Sequence, residues 1–310
     1  MLPAWAMVFP GQGSQSLGML QDFALNYPQV IATFNEASEA LGYDLWHMVQ
    51  AQEVKLNQTE YTQPALLTAS VALWRLWQAQ NGPRPQIMAG HSLGEYTALV
   101  CANALTLKDA VVLVATRGRL MQAAVAEGQG AMAAIIGLNS EQITAICAEA
   151  SEGEIVAPAN YNAIGQVVIA GQVAAVMRAI EMAKAASAKM AKLLAVSVPS
   201  HCLLMQTAAV QLAAYLANLT FYKPEIPIIN NVDVAIVAET AAIKDALVRQ
   251  LTQPVRWVEI VQALAQQQIH KIVECGPGKV LAGLHKRIEP VLPTFSLGTT
   301  VAFTDALQQF

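Results

Sequence analysis

The sequence predicts an α/β protein: one large α/β domain interrupted by a small ferredoxin-like subdomain. Three observations predict it. Residues 1–126 and 199–310 share a rhythm of short apolar strands and longer helical segments, the pattern of a layered sheet domain. Residues 127–198 run in the order βαββαβ, the ferredoxin-like unit, which can fold around its own core. At 310 residues the chain exceeds usual single-domain size, so about two domains, or one large domain with an insertion, are expected.

Each element has a local reason. Residues 5–9 form an apolar run stopped by Pro10-Gly11, and 86–89 another stopped by Gly90; both predict buried strands. Between them, 64–80 carries Leu66, Val71, Leu73, Trp74 and Trp77 at helical spacing and predicts a core-packing helix. In the insertion, 131–136 predicts a strand, followed after Gly137 by a helix that Asn139 or Ser140 can cap. Strands near 155–157 and 167–170 follow, joined by Asn160-Tyr161-Asn162-Ala163-Ile164-Gly165; a helix over 173–186 and a last strand over 193–198 complete the unit. After Pro199 the pattern predicts a helix at 203–216, a strand at 226–229, a helix at 255–267 and a strand at 269–274, ending at Gly276-Pro277-Gly278. That last turn lacks the Gly-Lys-Ser/Thr ending of a phosphate loop and is read as a tight turn against the sheet.

Composition excludes several classes. Hydrophobic residues make up 55% and charged residues 13%, with the apolar residues in short periodic runs rather than one span of about 18 to 20. Residues 1–10 lack a basic leader, so neither membrane insertion nor secretion is expected, and a cytoplasmic protein is. The net charge of -4 supplies no basic field for nucleic acid. Cys101, Cys147, Cys202 and Cys275 are widely spaced, which indicates neither a zinc site nor a disulfide framework.

The strongest chemical signal is Gly90-His91-Ser92-Leu93-Gly94. Small residues on both sides of a serine, after a strand and before a helix, allow the sharp turn that exposes the hydroxyl, as in an α/β-hydrolase-like domain. Ser92 needs a base. His91 adjoins it and is expected to point away; His47 lies in a helical segment; His285 sits beside Lys286 and Arg287 on a face expected to be solvated; His270 precedes a strand. His201, in Ser197-Val198-Pro199-Ser200-His201, remains as the candidate, against the reading of a surface or core histidine. No acid is positioned by sequence as a third triad member, though a backbone carbonyl can hold the same tautomer. Phe9-Pro10-Gly11-Gln12-Gly13-Ser14-Gln15 lets the backbone approach a ligand, which makes it either an oxyanion donor or a structural turn; the Leu93 amide would be the second donor. Arg117 shares an apolar helix face with Leu113 and Met121 and has no acid three or four residues away. A ligand carboxylate, a pairing across the fold, or a snorkelling surface position would each satisfy it. Arg119, about 200° round the helix, is expected to be solvated.

These motifs, with Gln63-Pro64-Ala65, Glu95-Tyr96, Arg117-Gly118, Val198-Pro199-Ser200-His201 and Gly276-Pro277-Gly278, occur in an order that resembles the bacterial malonyl-CoA:acyl carrier protein transacylases from about residue 5 to 288. The resemblance implies a malonyltransferase of type II fatty acid synthesis, with Ser92 as nucleophile, His201 as base and the Gln250 carbonyl orienting that base. It implies further that the Gln12 and Leu93 amides form the oxyanion hole, that Arg117 grips the malonyl carboxylate, and that Gln63 and Met121 line the pocket. Asn160 and Asn162 would contact the coenzyme A or carrier arm; here the stretch departs from the family, where a proline often follows shortly after the second asparagine. Malonyl-CoA and a phosphopantetheinylated acyl carrier protein would be the substrates, with no bound cofactor or metal and a monomeric chain. Lys189, Lys192, Lys286 and Arg287 are either a carrier-facing set or an ordinary solvated surface. A serine thioesterase or hydrolase of related fold, a catalytically idle carrier-binding module and a polyketide-pathway acyltransferase are the competing readings.

Overall fold

The computed structural model describes residues 4–196 and 198–310. Among the described residues, nine strands fall in two sheets. In chain order they are β1 (Trp5–Phe9), β2 (Ile87–Gly90), β3 (Gly130–Ile136), β4 (Val156–Ala163), β5 (Gln166–Gln172), β6 (Met190–Leu193), β7 (Ile228–Ile229), β8 (Lys271–Glu274) and β9 (Thr294–Ser296). The first sheet is parallel throughout, in the order β7-β2-β1-β8-β9. The second is antiparallel, in the order β4-β5-β3-β6, which is the ferredoxin-like arrangement.

Parallel strands are covered on both faces, and β1 shows why its sequence is apolar at every position. Trp5, Met7 and Phe9 enter one core with helix Thr59–Ala79, while Ala6 and Val8 enter another with helix Trp257–Gln266. Every residue of β1 is buried. The antiparallel sheet packs Ile135, Val167 and Ile169 against Ile143 and Val176 of its two helices, giving a separate third core. Each fully buried aliphatic or aromatic side chain contributes about 1.5 to 3 kcal/mol, so each core is substantial in its own right. The helix Ser140–Ser151 is capped by Asn139, whose side chain accepts from the Gln142 amide while the Gln142 side chain accepts from the Asn139 amide.

Several element bounds differ from the sequence reading. The helix expected at 64–80 begins five residues earlier, so Pro64 lies inside it. The segment 160–165, read as a connection, is largely the continuation of β4, because Tyr161 and Ala163 pair with β5. The last strand of the insertion is Met190–Leu193 rather than 193–198; Ser197, in both that range and the motif before His201, lies outside the described residues. Its register against β3, Ile136 opposite Met190 and Ala133 opposite Leu193, follows from where the preceding helix ends, which periodicity alone does not locate. The helix expected at 203–216 opens as a 3-10 turn, Leu203–Met205, before the α-helix Gln206–Ala217.

β4 of the antiparallel sheet is tied to the loop that enters helix Trp257–Gln266. The Tyr161 amide donates to the Val255 carbonyl and the Val255 amide to the Ala159 carbonyl, each at 2.9 Å. β4 also brings Asn160 and Asn162 to the cleft that His91 and Ser92 line.

Candidate active site

The elbow is built by two glycines. A Cβ on Gly90 would stand 1.8 Å from the Gly94 carbonyl carbon, and one on Gly94 would stand 2.1 Å from the Phe9 carbonyl oxygen. Only glycine permits strand, turn and helix to close so tightly. Ser92 pays for the turn with φ 52°, a region that costs a non-glycine residue about 1 to 3 kcal/mol. The side chain of Asn231 holds it there: Oδ1 accepts from the Ser92 amide at 2.7 Å and Nδ2 donates to the Gly90 carbonyl at 2.6 Å.

His201 also has a left-handed backbone, φ 62°, and is buried. Its Nε2 lies 2.8 Å from Ser92 Oγ, and its Nδ1 lies 2.6 Å from the Gln250 carbonyl oxygen. The carbonyl can only accept, so Nδ1 carries the proton and Nε2 is free to receive one from the serine. Burial, then the Arg117 guanidinium, pulls the imidazole down to about 3. The ring is therefore neutral at physiological pH.

Arg117 is fully buried in helix Leu107–Ala124. A Cβ on neighbouring Gly118 would stand 2.6 Å from Glu60 Cα, so glycine lets this helix approach helix Thr59–Ala79 closely. Across that contact Arg117 donates from one terminal nitrogen to Gln63 Oε1 at 2.8 Å. The other donates to Gln250 Oε1 at 2.9 Å and to Ser92 Oγ at 3.4 Å. The guanidinium carbon lies 5.2 Å from the Tyr96 ring centre. It is not a snorkelling surface residue but is paired across the fold, with neutral acceptors on Gln63, Gln250 and Ser92, and Nε has no hydrogen-bond partner among the described residues. Met121, one turn on, accepts a 3.7 Å contact from Gln63 Nε2, and Arg119 is exposed as expected.

Gln12 follows β1, whose end pairs with β2 in the register Phe9 opposite Gly90, so its loop stands beside the elbow. Its side chain donates to Thr59 Oγ1 at 3.2 Å. Leu93 opens helix Leu93–Cys101, and its amide is one of the unpaired donors every helix start leaves. A cleft of about 200 Å³ brings Gln12, His91, Ser92 and His201 to face Met132, Asn160, Asn162 and Val168 of the antiparallel sheet. Asn162 Oδ1 lies 2.8 Å from His91 Nε2, which ties His91 away from the serine as expected.

Three features lie beyond the sequence reading. Glu95, one turn past Ser92, is a buried acid whose Oε2 accepts from the Asn231 amide at 3.0 Å and from Gln250 Nε2 at 2.9 Å; burial pushes it up to about 7. The Gln250 side chain joins this group as well as its carbonyl. His285 is not on a solvated face: it is fully buried and stacked on Trp257 at 5.6 Å, and burial pulls it down to about 3. Lys286 and Arg287 are exposed, so the helix end turns its histidine alone inward. The Glu95 signal was present in the motif Gly94-Glu95-Tyr96; the Asn231 signal was not, since a lone asparagine after a strand is common.

A serine with a histidine on its hydroxyl, helix-start amides beside it and a buried guanidinium 3.4 Å from that hydroxyl is equipped for acyl transfer. The acyl transferase domain family matches residues 6–289, and the protein is an acyltransferase. The chain is 56% identical over 306 residues to the malonyl CoA-acyl carrier protein transacylase of Salmonella typhimurium, covering 98% of this chain and 99% of that protein. It is 40% identical to that of Bacillus subtilis over 98% of this chain and 96% of the relative. The solved transacylase of Coxiella burnetii superposes with a TM-score of 0.98 at 52% identity, covering 99% of this chain and 98% of the other. A malonyl-transacylase solved in complex with a type II PKS acyl-carrier protein gives 0.98 at 54% identity, covering 99% and 100%. The chain belongs to the malonyl CoA-acyl carrier protein transacylase family.

Proposed function

We propose that this enzyme transfers the malonyl group of malonyl-CoA to the phosphopantetheine thiol of an acyl carrier protein through an ester on Ser92, supplying malonyl-carrier for fatty acid biosynthesis. The observation that carries the chemistry is the Ser92 Oγ to His201 Nε2 contact of 2.8 Å, with His201 Nδ1 on a main-chain carbonyl rather than an acid.

Ser92 Oγ attacks the thioester carbonyl as His201 Nε2 takes its proton. The carbonyl oxygen becomes an oxyanion received by the Gln12 and Leu93 amides; each such donor contributes roughly 2.7 to 4 kcal/mol. The C–S bond then breaks, and the departing coenzyme A sulfur takes the proton from His201. In the second half the carrier thiol gives its proton to His201 and attacks the ester carbonyl. The C–O bond breaks and Ser92 Oγ recovers the proton.

Arg117 receives the malonyl carboxylate, with Gln63 and Met121 shaping its surroundings. That ion pair also acts on the base. The guanidinium is a cause of the low basicity of His201, so a carboxylate that neutralises it makes the imidazole a better base when the correct acyl group is bound. Asn160 and Asn162 stand on the cleft wall where the coenzyme A or carrier arm passes.

The large part of the chain, 1–126 with 199–310, forms the catalytic domain and 127–198 the small subdomain; the antiparallel strands all fall between Gly130 and Leu193, which supports that division. The enzyme works as a cytoplasmic monomer without a bound cofactor or metal, and without nucleic acid or membrane partners. Among the described residues no helix is long and apolar enough to cross a membrane, and no group of metal-ligating side chains forms. A polyketide pathway is the second reading, favoured by the relative solved with a type II PKS acyl-carrier protein; relative rates with carriers of the two kinds decide it.

Intact mass after brief mixing with malonyl-CoA tests the reaction. Wild type should gain a malonyl adduct that discharges onto added carrier, and Ser92→Ala should gain none. Discharge to water with an unacylated carrier would instead mark a thioesterase, and absence of any adduct an idle binding module.

A further inference from the structure

Glu95 is a buried acid that the reaction above does not use. One of its oxygens, Oε2, takes two donors, the Asn231 amide and Gln250 Nε2. The Gln250 nitrogen also donates to the Ser92 carbonyl at 3.0 Å, while Gln250 Oε1 accepts from Arg117 at 2.9 Å. These partners leave the Gln250 amide one orientation. Exchanging its ends would set its oxygen against a carboxylate and a carbonyl, and its nitrogen against a guanidinium. The contacts to Glu95, when it is ionised, and to Arg117 are charge-assisted, so these two bear on that choice more than the neutral Ser92 carbonyl does. Arg117 in turn is held by neutral acceptors, Gln63 on one terminal nitrogen and Gln250, with a longer contact to Ser92 Oγ, on the other, so the orientation of Gln250 decides whether that second nitrogen is anchored or repelled.

We propose that Glu95 is a positioning residue for acyl selectivity, acting through the side chain of Gln250 to hold the Arg117 guanidinium where an acyl carboxylate meets it. The inference rests on the reading of Arg117 as the carboxylate receptor. The same carboxylate steadies the nucleophile through Asn231, so its removal slows all acylation, but the loss is larger for an acyl group that needs Arg117.

The test is the ratio of Ser92 acylation rates from malonyl-CoA and acetyl-CoA, read by intact mass. Variants are Glu95→Gln and Glu95→Ala, each alone and combined with Gln250→Met, which keeps the main-chain carbonyl on His201 but removes the amide. Glu95→Ala should lower the ratio about tenfold and Glu95→Gln, which retains an oxygen at the same place, about three- to fivefold. In the Gln250→Met background neither should lower it further, because the two act in series. If Glu95→Ala does not fold, the Glu95→Gln pair carries the comparison. An unchanged ratio in folded Glu95→Gln, or an equal drop in the Gln250→Met background, overturns the inference. Arg117→Ala separates the two levels: if it leaves the ratio unchanged, the receptor reading fails and the inference with it. If it collapses the ratio while the Glu95 variants do not, the inference alone is wrong.

Discussion

Acid should destabilise this fold through two histidines, and one of them can be removed without touching the reaction. His201 and His285 ordinarily titrate near 6.5, and in the fold burial holds each at about 3. Between those values the unfolded chain binds a proton at each that the native chain refuses, so their contribution is full above 6.5 and falls as pH drops toward 3. Glu95 and Glu274 act in the opposite sense. Burial raises each from 4.5 to about 7, so the native chain holds protons there that the unfolded chain releases, and stability from these two falls as pH rises from 4.5 to 7. From 6.5 to 4.5 the two pairs offset. Below 4.5 only the histidines of these four groups remain, and each loses about 1.36 kcal/mol per pH unit, roughly 2 kcal/mol by pH 3. His285→Phe removes one site while keeping an aromatic ring on Trp257, which His285 stacks at 5.6 Å. Denaturant unfolding of both chains at pH 7, 4.5 and 3.5 reads the difference, since every other carboxylate is common to the two. The variant should lose about one proton's worth of slope between pH 4.5 and 3.5. Parallel curves would refute a buried neutral His285.

Other perturbations have separate readouts. Gly90→Ala places a methyl 1.8 Å from backbone that cannot yield, so the elbow should not close; expect loss of the malonyl adduct and destabilisation of about 3 kcal/mol or more, seen by mass and by melting. Asn231→Ala leaves the Ser92 amide and Gly90 carbonyl without their partner, at about 1 to 3 kcal/mol each, and should slow adduct formation with both malonyl-CoA and acetyl-CoA. Arg117→Ala should weaken malonyl transfer by roughly 30-fold or more, the low end for an unpaired buried charge, while sparing or improving acetyl transfer in a competition assay. Transfer rates that are insensitive to salt and to removal of the exposed Lys189, Lys192, Lys286 and Arg287 would assign those residues to the solvated surface rather than to carrier docking.

The elbow around Ser92 was legible because its signal is local. Gly90 and Gly94 on either side of Ser92, after an apolar strand, specify a turn within five residues, and no distant contact is needed to recognise it. The ferredoxin-like order was legible for the same reason: strand and helix periods change within 127–198, and Asn139 caps its helix with a residue three positions away. The strand at 193–198 was misplaced because register depends on the partner strand β3. His285 was misplaced because its charged neighbours, Lys286 and Arg287, describe the outside of the helix while Trp257, 28 residues earlier, decides its inside.

By itself, then, the sequence determined the order of the elements, the elbow around Ser92 and the family pattern, all of which depend on short-range sterics and periodicity. Tertiary structure decided the meeting of Ser92 with a histidine 109 residues away, the carbonyl that fixes that histidine's tautomer, and the Glu95, Gln250 and Arg117 chain. A hydrogen bond requires partners within about 3 Å, and which residues come that close is set by sheet order and helix packing rather than by spacing along the chain.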